Sequence, residues 1–469
     1  MVCIRNSGAF CAMTRDEALA ILSLPTEEAI ASILLLAEKA EKYDKQCATL
    51  SCTTPSGMKP VYSKPAGKKR AQKSGRKKGH VGSCRAKPEK IDTYRNHTIQ
   101  ECPDCNNPLG QPIKTYQRFT EEIPEVKPTV TQNTINGYWC KFCKKVVYAP
   151  MSDAFAGSTL GLRLVVFTAW LHYFVGMSVS NVVKMLSAFA HFQVSTGGLT
   201  QAWKKLAFTL EPFYIEIGKK ISQAAVLHGD ETGWRINGIT HWLWCFATKK
   251  LCYYLIEKSR GSLVVKKVFG TFFTGILICD FWGAYNALCA LAKQRCFYHL
   301  FTELVKVNKS NKSVAWKTFR KKLSRLLKDA VRLSNKKSSL VLNRFESLKT
   351  KLYTRLELLL VFDGTDKDVK RLLKRLRRHK NELFTFLEHE GVSPYNNHGE
   401  QQMRNPAINR KISHQNRSMD GAKTQAILMS LFKSATLQNT NPIETILAMA
   451  KQSIDPKSIP TFSPFDIAA

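Results

Sequence analysis

An α+β multidomain chain is predicted by three features of the sequence. Short apolar runs with period-two texture concentrate in residues 222–302, and two of them stop at an aspartate. Helical periodicity flanks them, over 155–215 and again over 303–392. A Lys-, Pro- and Gly-rich break at 53–95 cannot bury a core and sets off the N-terminal region. With 469 residues and 44% hydrophobic content, the chain has material for about three units of ordinary domain size.

The charge narrows the partner. Lys and Arg number 71 against 36 Asp and Glu, a formal balance of +35 spread through most of the chain. Such an imbalance costs self-repulsion unless a polyanion neutralises it. Nucleic acid is the expected partner, because Lys and Arg contacts to phosphate release condensed counterions. An anionic membrane surface is the other polyanion that fits. Fourteen cysteines sit mostly singly in apolar runs, as at Cys245, Cys252, Cys279 and Cys289, and no secretory signal pattern is read. Reduced thiols and a cytoplasmic location are therefore expected. The longest apolar stretch, "LGLRLVVFTAWLHYFVG" at 160–176, contains Arg163 and His172 and is short for a bilayer span, so it reads as a core helix.

Residues 1–52 read as a helical region. "PTEEAIASILLLAEKAEKY" sets Ile30, Ile33, Leu34 and Ala37 on one face behind a helix start at Pro25, which suits packing or oligomerisation. The linker at 53–95 carries twelve Lys or Arg between Lys59 and Lys90 against one acid. Within "GKKRAQKSGRKKGH", Lys68, Lys69, Arg70, Arg76, Lys77 and Lys78 are candidates for sequence-independent DNA contact. Residues 96–150 hold "CPDCNNPLG" and "YWCKFCKKVVY". Cys102 with Cys105, and Cys140 with Cys143, give two C-x-x-C knuckles whose four thiolates suit one tetrahedral Zn²⁺ in a small zinc-ribbon-like module. Four protein ligands leave no open position, so the role is structural. Thirty-four residues lie between Cys105 and Cys140, longer than the common ribbon spacing, and two unrelated redox or buried pairs are the alternative. In 155–215, "SVSNVVKMLSAFAHF", "QVSTGG" and "LTQAWKKLAFTL" suit a helix-turn-helix that presents Gln201, Lys204 and Lys205 to DNA. A plain three-helix scaffold fits the same residues.

Strands begin after 222. "AAVLHGDE", "HWLWCFAT" and "LCYYLIEK", joined by tight polar links, read as an antiparallel meander. A helix at 262–269 follows. Then "TGILICDFWGAYNALCALA" gives a strand ending at Asp280 with a helix just beyond, and "RCFYHLFTELVK" gives a short strand and another helix. Three meandering strands, a helix, a strand and a helix is the order of the ribonuclease H-like fold. There the ends of the first and fourth strands lie side by side, so Asp230 and Asp280 could share a divalent ion. Taken singly, each reads as a turn or helix cap. Glu231 is the local rival: alternation puts Val226, His228 and Asp230 on one face and Glu231 opposite, unless the strand ends first.

Residues 303–392 form an expected all-helical insertion. "KKLSRLLKDAVRL" and "DVKRLLKRLRRHKNELFTFLEHE" carry leucines at helical spacing and a basic stripe, either solvated or laid along duplex DNA. The core resumes at 393–440. Glu400 is the only acid between Glu390 and Asp420, set among Asn396, Asn397, Arg404, Asn405, Arg410, Lys411 and Arg417. One carboxylate in a field of phosphate-compatible groups suits a metal-dependent phosphodiester site, although Glu400 and Arg404 also suit an ordinary i, i+4 pair. Pro406 limits or kinks their helix. Residues 441–469 read as a C-terminal tail.

"VLHGDETGWR", "CDFWGAYNAL", "CFYHL" and "NNHGEQQMRN" together resemble the catalytic blocks of insertion sequence 66 family transposases. "TPSGMKPVYSKP…GRKKGH" and the paired knuckles resemble that family's linker and zinc-binding segment, so the resemblance covers nearly the whole chain, in order. It implies a bacterial DDE transposase on a ribonuclease H-like core. Asp230, Asp280 and Glu400 would bind the catalytic metal, and His299 matches a family histidine counted here among the DNA contacts. Two departures stand out: Gly229 replaces a frequent Ala, and "CFYHL" stands where "WAHARR"-like residues are usual.

The expected chemistry is DNA end cleavage and strand transfer with Mg²⁺ or Mn²⁺ on the three carboxylates. It needs no ATP, in keeping with the lack of a P-loop run in the sequence. The expected partners are the element's terminal inverted repeats, target DNA, further copies of the chain and accessory proteins from the same element, acting at the nucleoid. Two other readings remain open: a DNA-binding protein without chemistry, and a structure-specific nuclease on the same fold.

Overall fold

The computed structural model describes residues 23, 25–30, 33–34, 80–82, 85–149, 151–362 and 365–454. Lys68, Lys69, Arg70, Arg76, Lys77 and Lys78 lie outside the described residues, as does most of the expected N-terminal helix. Residues 85–149 are largely exposed and without regular secondary structure around one hairpin, β1 (Gly137–Cys140) and β2 (Lys145–Tyr148), which pairs Cys140 with Lys145 at its closed end.

Three helices come next. α1 (Leu162–Ala169) runs into a π-helical turn over Trp170–Val175, where Gly176 takes a left-handed φ of 93°. Ser178 caps α2 (Val179–Ala190) through the Asn181 N–H, and Ser195 caps α3 (Thr196–Ser222) through the Gly198 N–H. α3 buries residues along its whole length, from Leu199 and Trp203 to Ile217 and Ile221. The expected recognition helix is thus the start of a long core helix.

The five-stranded sheet that follows has the order β5-β4-β3-β6-β7. β3 (Val226–Ile236), β4 (Ile239–Ala247) and β5 (Cys252–Glu257) form the antiparallel meander. After α4 (Ser262–Phe269), β6 (Phe272–Cys279) pairs parallel to β3, and β7 (Cys289–Arg295) pairs parallel to β6. Two local readings need correction. β3 does not stop at its carboxylates; it continues to a two-residue turn, Asn237 (φ 47°) and Gly238 (φ 75°), the positive-φ pair that matches strand twist. The expected helix after Asp280 is a short 3₁₀ turn at Gly283–Ala287, and the fifth strand precedes "CFYHL". The free edge of β6 takes Cys289–Arg295 into the ladder, so the next residues start a helix.

That helix is α5 (Phe297–Ser310). It leads into α6 (Val314–Asn335), α7 (Leu342–Leu360), α8 (Lys367–Arg378) and the single turn α9 (Thr385–Glu388). The chain returns through α10 (Asn397–Gln402), α11 (Arg404–Ser413), α12 (Met419–Leu437) and α13 (Pro442–Ile454). Residues 442–454 of the expected tail are therefore a helix, with Ile446, Leu447, Met449 and Ala450 buried.

Alternation along β6 separates two cores. Phe273, Leu277 and Cys279 join a cluster with Trp203, Leu206 and Leu210 of α3, Ile427 and Leu431 of α12, and Met449 of α13. Ile276 and Ile278 join the other, with Phe297, Leu300, Trp316, Phe319, Leu372 and Phe384. The helices before the sheet and the helices after residue 418 share one core, while residues 297–392 pack on the opposite face.

Candidate metal centre

The parallel register brings the two aspartates to one level. Val226, Leu227 and His228 pair with Ile276, Leu277 and Ile278, a constant offset of fifty residues. Continued for two residues, the same offset sets Asp230 against Asp280, just beyond the paired segment. Each carboxylate is fixed by a backbone donor: the Glu231 N–H reaches Asp230 Oδ1 at 2.9 Å, and the Trp282 N–H reaches Asp280 Oδ1 at 2.8 Å.

Glu400 arrives on α10, and Asn396 ties that helix to β3. Asn396 is 1% exposed. Its Oδ1 lies 2.9 Å from His228 Nδ1, its Nδ2 donates to the Gly229 carbonyl at 2.8 Å, and its own carbonyl accepts the Glu400 N–H at 3.0 Å. One residue, through its side chain and its backbone carbonyl, thereby sets the helix that carries Glu400 beside the residues preceding Asp230. Gly229 has a local reason as well. A Cβ there would meet Tyr285 Cε1 at 3.2 Å and Leu277 Cδ1 at 3.3 Å, so the sheet leaves little room for a side chain.

The electrostatics show that the carboxylates share one neighbourhood. Asp230 is half-buried by area but closely ringed by protein. Burial first, then the charges of Glu231 and Asp280, push its carboxyl well above the usual range; the Glu231 N–H opposes this, and Glu400 adds to the rise. Glu231 is pushed up to about 7 by burial and by Asp280, with Tyr285 and Arg260 pulling the other way. Glu400 Oε1 is buried without a hydrogen-bond partner. Crowded acids and an orphaned buried oxygen are what a divalent cation would relieve, so the donor set fits Mg²⁺ or Mn²⁺.

Glu231 is engaged elsewhere. Its Oε1 accepts from Arg260 Nε at 3.1 Å and Nη2 at 2.9 Å, and its Oε2 accepts the Tyr285 hydroxyl at 2.7 Å. The Arg260 guanidinium lies between Trp242 and Trp282, 4.4 and 3.7 Å from the ring centroids. Asp280 has a brace of its own. Arg295, fully buried at the end of β7, donates to the Asp280 carbonyl at 2.7 Å, to Asn286 Oδ1 at 2.8 Å and to Glu382 Oε2 at 2.6 Å. Asn396, Arg260, Tyr285 and Arg295 are thus parts of the site that sequence reasoning did not assign. Their partners lie far away in sequence, and no local spacing signals them.

The expected DNA contacts scatter. Gln201 is exposed on α3; Lys204 pairs with Asp420 at 2.5 Å, and Lys205 Nζ donates to the Ala156 carbonyl at 3.3 Å. Arg404, Lys411 and Arg417 are exposed. Arg410 is not: its guanidinium is part-buried and binds Thr232 Oγ1 at 2.9 Å and the Gly233 carbonyl, bracing α11 to β3. His299 sits in the first turn of α5, its Nδ1 buried without a partner. Among the described residues, one group of three or more ligand atoms lies within 4.8 Å of one another: Cys296, His299 and Glu400. Asp230 and Asp280 lie outside that group, and the two C-x-x-C pairs are not gathered into one cluster. Each pair is still preset by its own turn. Backbone N–H groups lower the thiols of Cys102, chiefly from Asp104, and of Cys140, chiefly from Cys143.

Two aspartates just past the parallel strand ends of a mixed sheet, on a strongly basic chain, suit the class of protein that acts on nucleic acid. Comparison with protein families makes this specific: the model described as transposase IS66 family matches residues 157–424, and the chain belongs to that family. No curated protein matches the chain. No helix among the described residues is long and apolar enough to cross a membrane.

Proposed function

We propose that this transposase cuts and joins DNA at a DDE centre on a ribonuclease H-like core, with Asp230, Asp280 and Glu400 as its metal-binding residues. The observation that supports this reading is the β3–β6 register, whose offset, continued two residues beyond the paired segment, would bring Asp230 level with Asp280, joined by the influence of Glu400 on Asp230. The strand order of the sheet, with a meander followed by two parallel strands, supports the core assignment. Asp230, Asp280 and Glu400 would hold the Mg²⁺, which would supply activation of the attacking oxygen and stabilisation of the leaving one. The protein's part is to hold the acids in place. The Glu231 and Trp282 N–H groups orient the aspartates, Asn396 sets the Glu400 helix, and Arg295 anchors the backbone at Asp280.

The remaining assignments belong to the same proposal. The cysteine pairs would bind a structural Zn²⁺, and residues 53–95 with exposed Arg404, Lys411 and Arg417 would contact phosphates. The chain would act as a homo-oligomer on element ends in the cytoplasm. A helix-turn-helix at α2 and α3 would use Gln201 and the exposed face around it. Incubating the protein with Mg²⁺ and DNA that carries the sequences flanking its gene tests the reading. Joined products support it, whereas broken DNA that is never joined indicates a nuclease, and binding without breakage indicates a DNA-binding protein.

A further inference from the structure

We infer that Cys296, His299 and Glu400 form a binding site for a divalent transition-metal ion, which adds sulfur and imidazole donors to the carboxylate centre. The inference rests on the reading of Glu400 as a metal-binding residue and adds a second ion that Glu400 would share. Three observations carry it. The Cys296 Sγ, a ring nitrogen of His299 and a Glu400 carboxylate oxygen all lie within 4.8 Å of one another. His299 Nδ1 and Glu400 Oε1 are both buried with no hydrogen-bond partner, so each of these residues keeps a polar atom free for a cation. The ligands are also locked together by the backbone. Cys296 is the N-cap residue of α5 and His299 lies in its first turn. The Asn396 N–H donates to Cys296 Sγ at 3.2 Å, and Asn396 also begins the helix that carries Glu400.

The donor chemistry selects the ion. Mg²⁺ takes oxygen ligands, whereas one thiolate, one imidazole and one carboxylate suit a borderline ion such as Co²⁺ or Zn²⁺; Mn²⁺ is harder but accepts an imidazole beside oxygen, which makes it a paramagnetic probe of the site. Three protein ligands leave a coordination position open to water or to a phosphate oxygen, as in catalytic sites and unlike a closed four-cysteine site. The site would therefore hold a transition metal beside the Mg²⁺ ligands and share Glu400 with them.

The test is a titration of the chelator-treated full-length protein with Mn²⁺ alone, read by electron paramagnetic resonance. Pulsed measurements report nitrogen hyperfine coupling when an imidazole is bound directly. The expected result is nitrogen coupling in the wild type, its loss in His299→Gln, and Mn²⁺ affinity weakened at least about tenfold in both His299→Gln and Cys296→Ser. A thermal melt matching the wild type keeps either variant interpretable. Bound Mn²⁺ without nitrogen coupling, or coupling that survives His299→Gln, overturns the inference. The DDE reading stands in that case if Asp230→Asn and Asp280→Asn weaken binding. Affinity that responds to His299→Gln but not to the aspartate variants supports the inference and overturns the DDE reading. A wild type that binds no Mn²⁺ overturns both.

Discussion

The two adjacent acids of "GDET" take different parts because they meet different neighbours. Asp230 faces Asp280 and Glu400, whereas Glu231 is clamped by Arg260 and Tyr285. Removing one partner of a buried pair leaves an uncompensated charge. Arg260→Ala is therefore expected to destabilise the protein by about 3 kcal/mol in denaturant titration, with part of the loss recovered when Glu231→Gln is added. Equal stability of the two variants would show that the clamp is not what holds Glu231. The three acids proposed for the centre stand out in the sequence because two end apolar runs and one stands alone among basic and amide residues. Asn396 and Arg295 were not legible as braces. What makes them structural is a partner 167 residues away at Gly229 and one 87 residues away at Glu382.

At the level of elements, the meander, the fourth strand and the helical insertion followed from periodicity and turn residues, which act locally. The fifth strand was misplaced because "CALAKQR" carries no strong strand pattern; its place comes from pairing with β6. Two junctions make predictions. At Gly275 the chain passes so close to the end of α3 that a Cβ would lie 2.0 Å from the Ala224 carbonyl oxygen. Gly275→Ala is expected to cost about 2 kcal/mol, because backbone must move to admit the methyl; an unchanged unfolding midpoint would contradict this close approach. Asn396→Ala strips the His228 ring and the Gly229 carbonyl of a buried partner. It is expected to cost about 3 kcal/mol and to lower DNA cleavage with it. Normal cleavage with a normal melt would mean that α10 is set by other contacts.

Across the whole molecule, two cores share one sheet, and Glu382 links the insertion to the site. Burial raises its carboxyl, but the His379 hydrogen bond and the charges of Arg295 and Lys293 outweigh this and hold it at about 2, below the ordinary 4.5. A depressed value stabilises the fold above about pH 4.5, and this contribution is lost as pH falls towards 2. The loss is expected to reach about 2 kcal/mol, discounted for the side chain's 23% exposure, and Glu382→Gln should flatten it. A variant with the same acid dependence as the wild type would assign that dependence elsewhere. The insertion's grip on Arg295, and through it on the Asp280 backbone, is why the two cores are expected to act as one catalytic unit. The most direct test of that unit is Mg²⁺-dependent cleavage and joining of DNA bearing the gene's flanking ends, measured for Asp230→Asn, Asp280→Asn, Glu400→Gln and Glu231→Gln. The first three are expected to fall by about a thousandfold or more, as loss of a residue proposed to hold the metal would require, while Glu231→Gln stays within about tenfold of the wild type. An active Asp230→Asn beside an inactive Glu231→Gln would contradict the account.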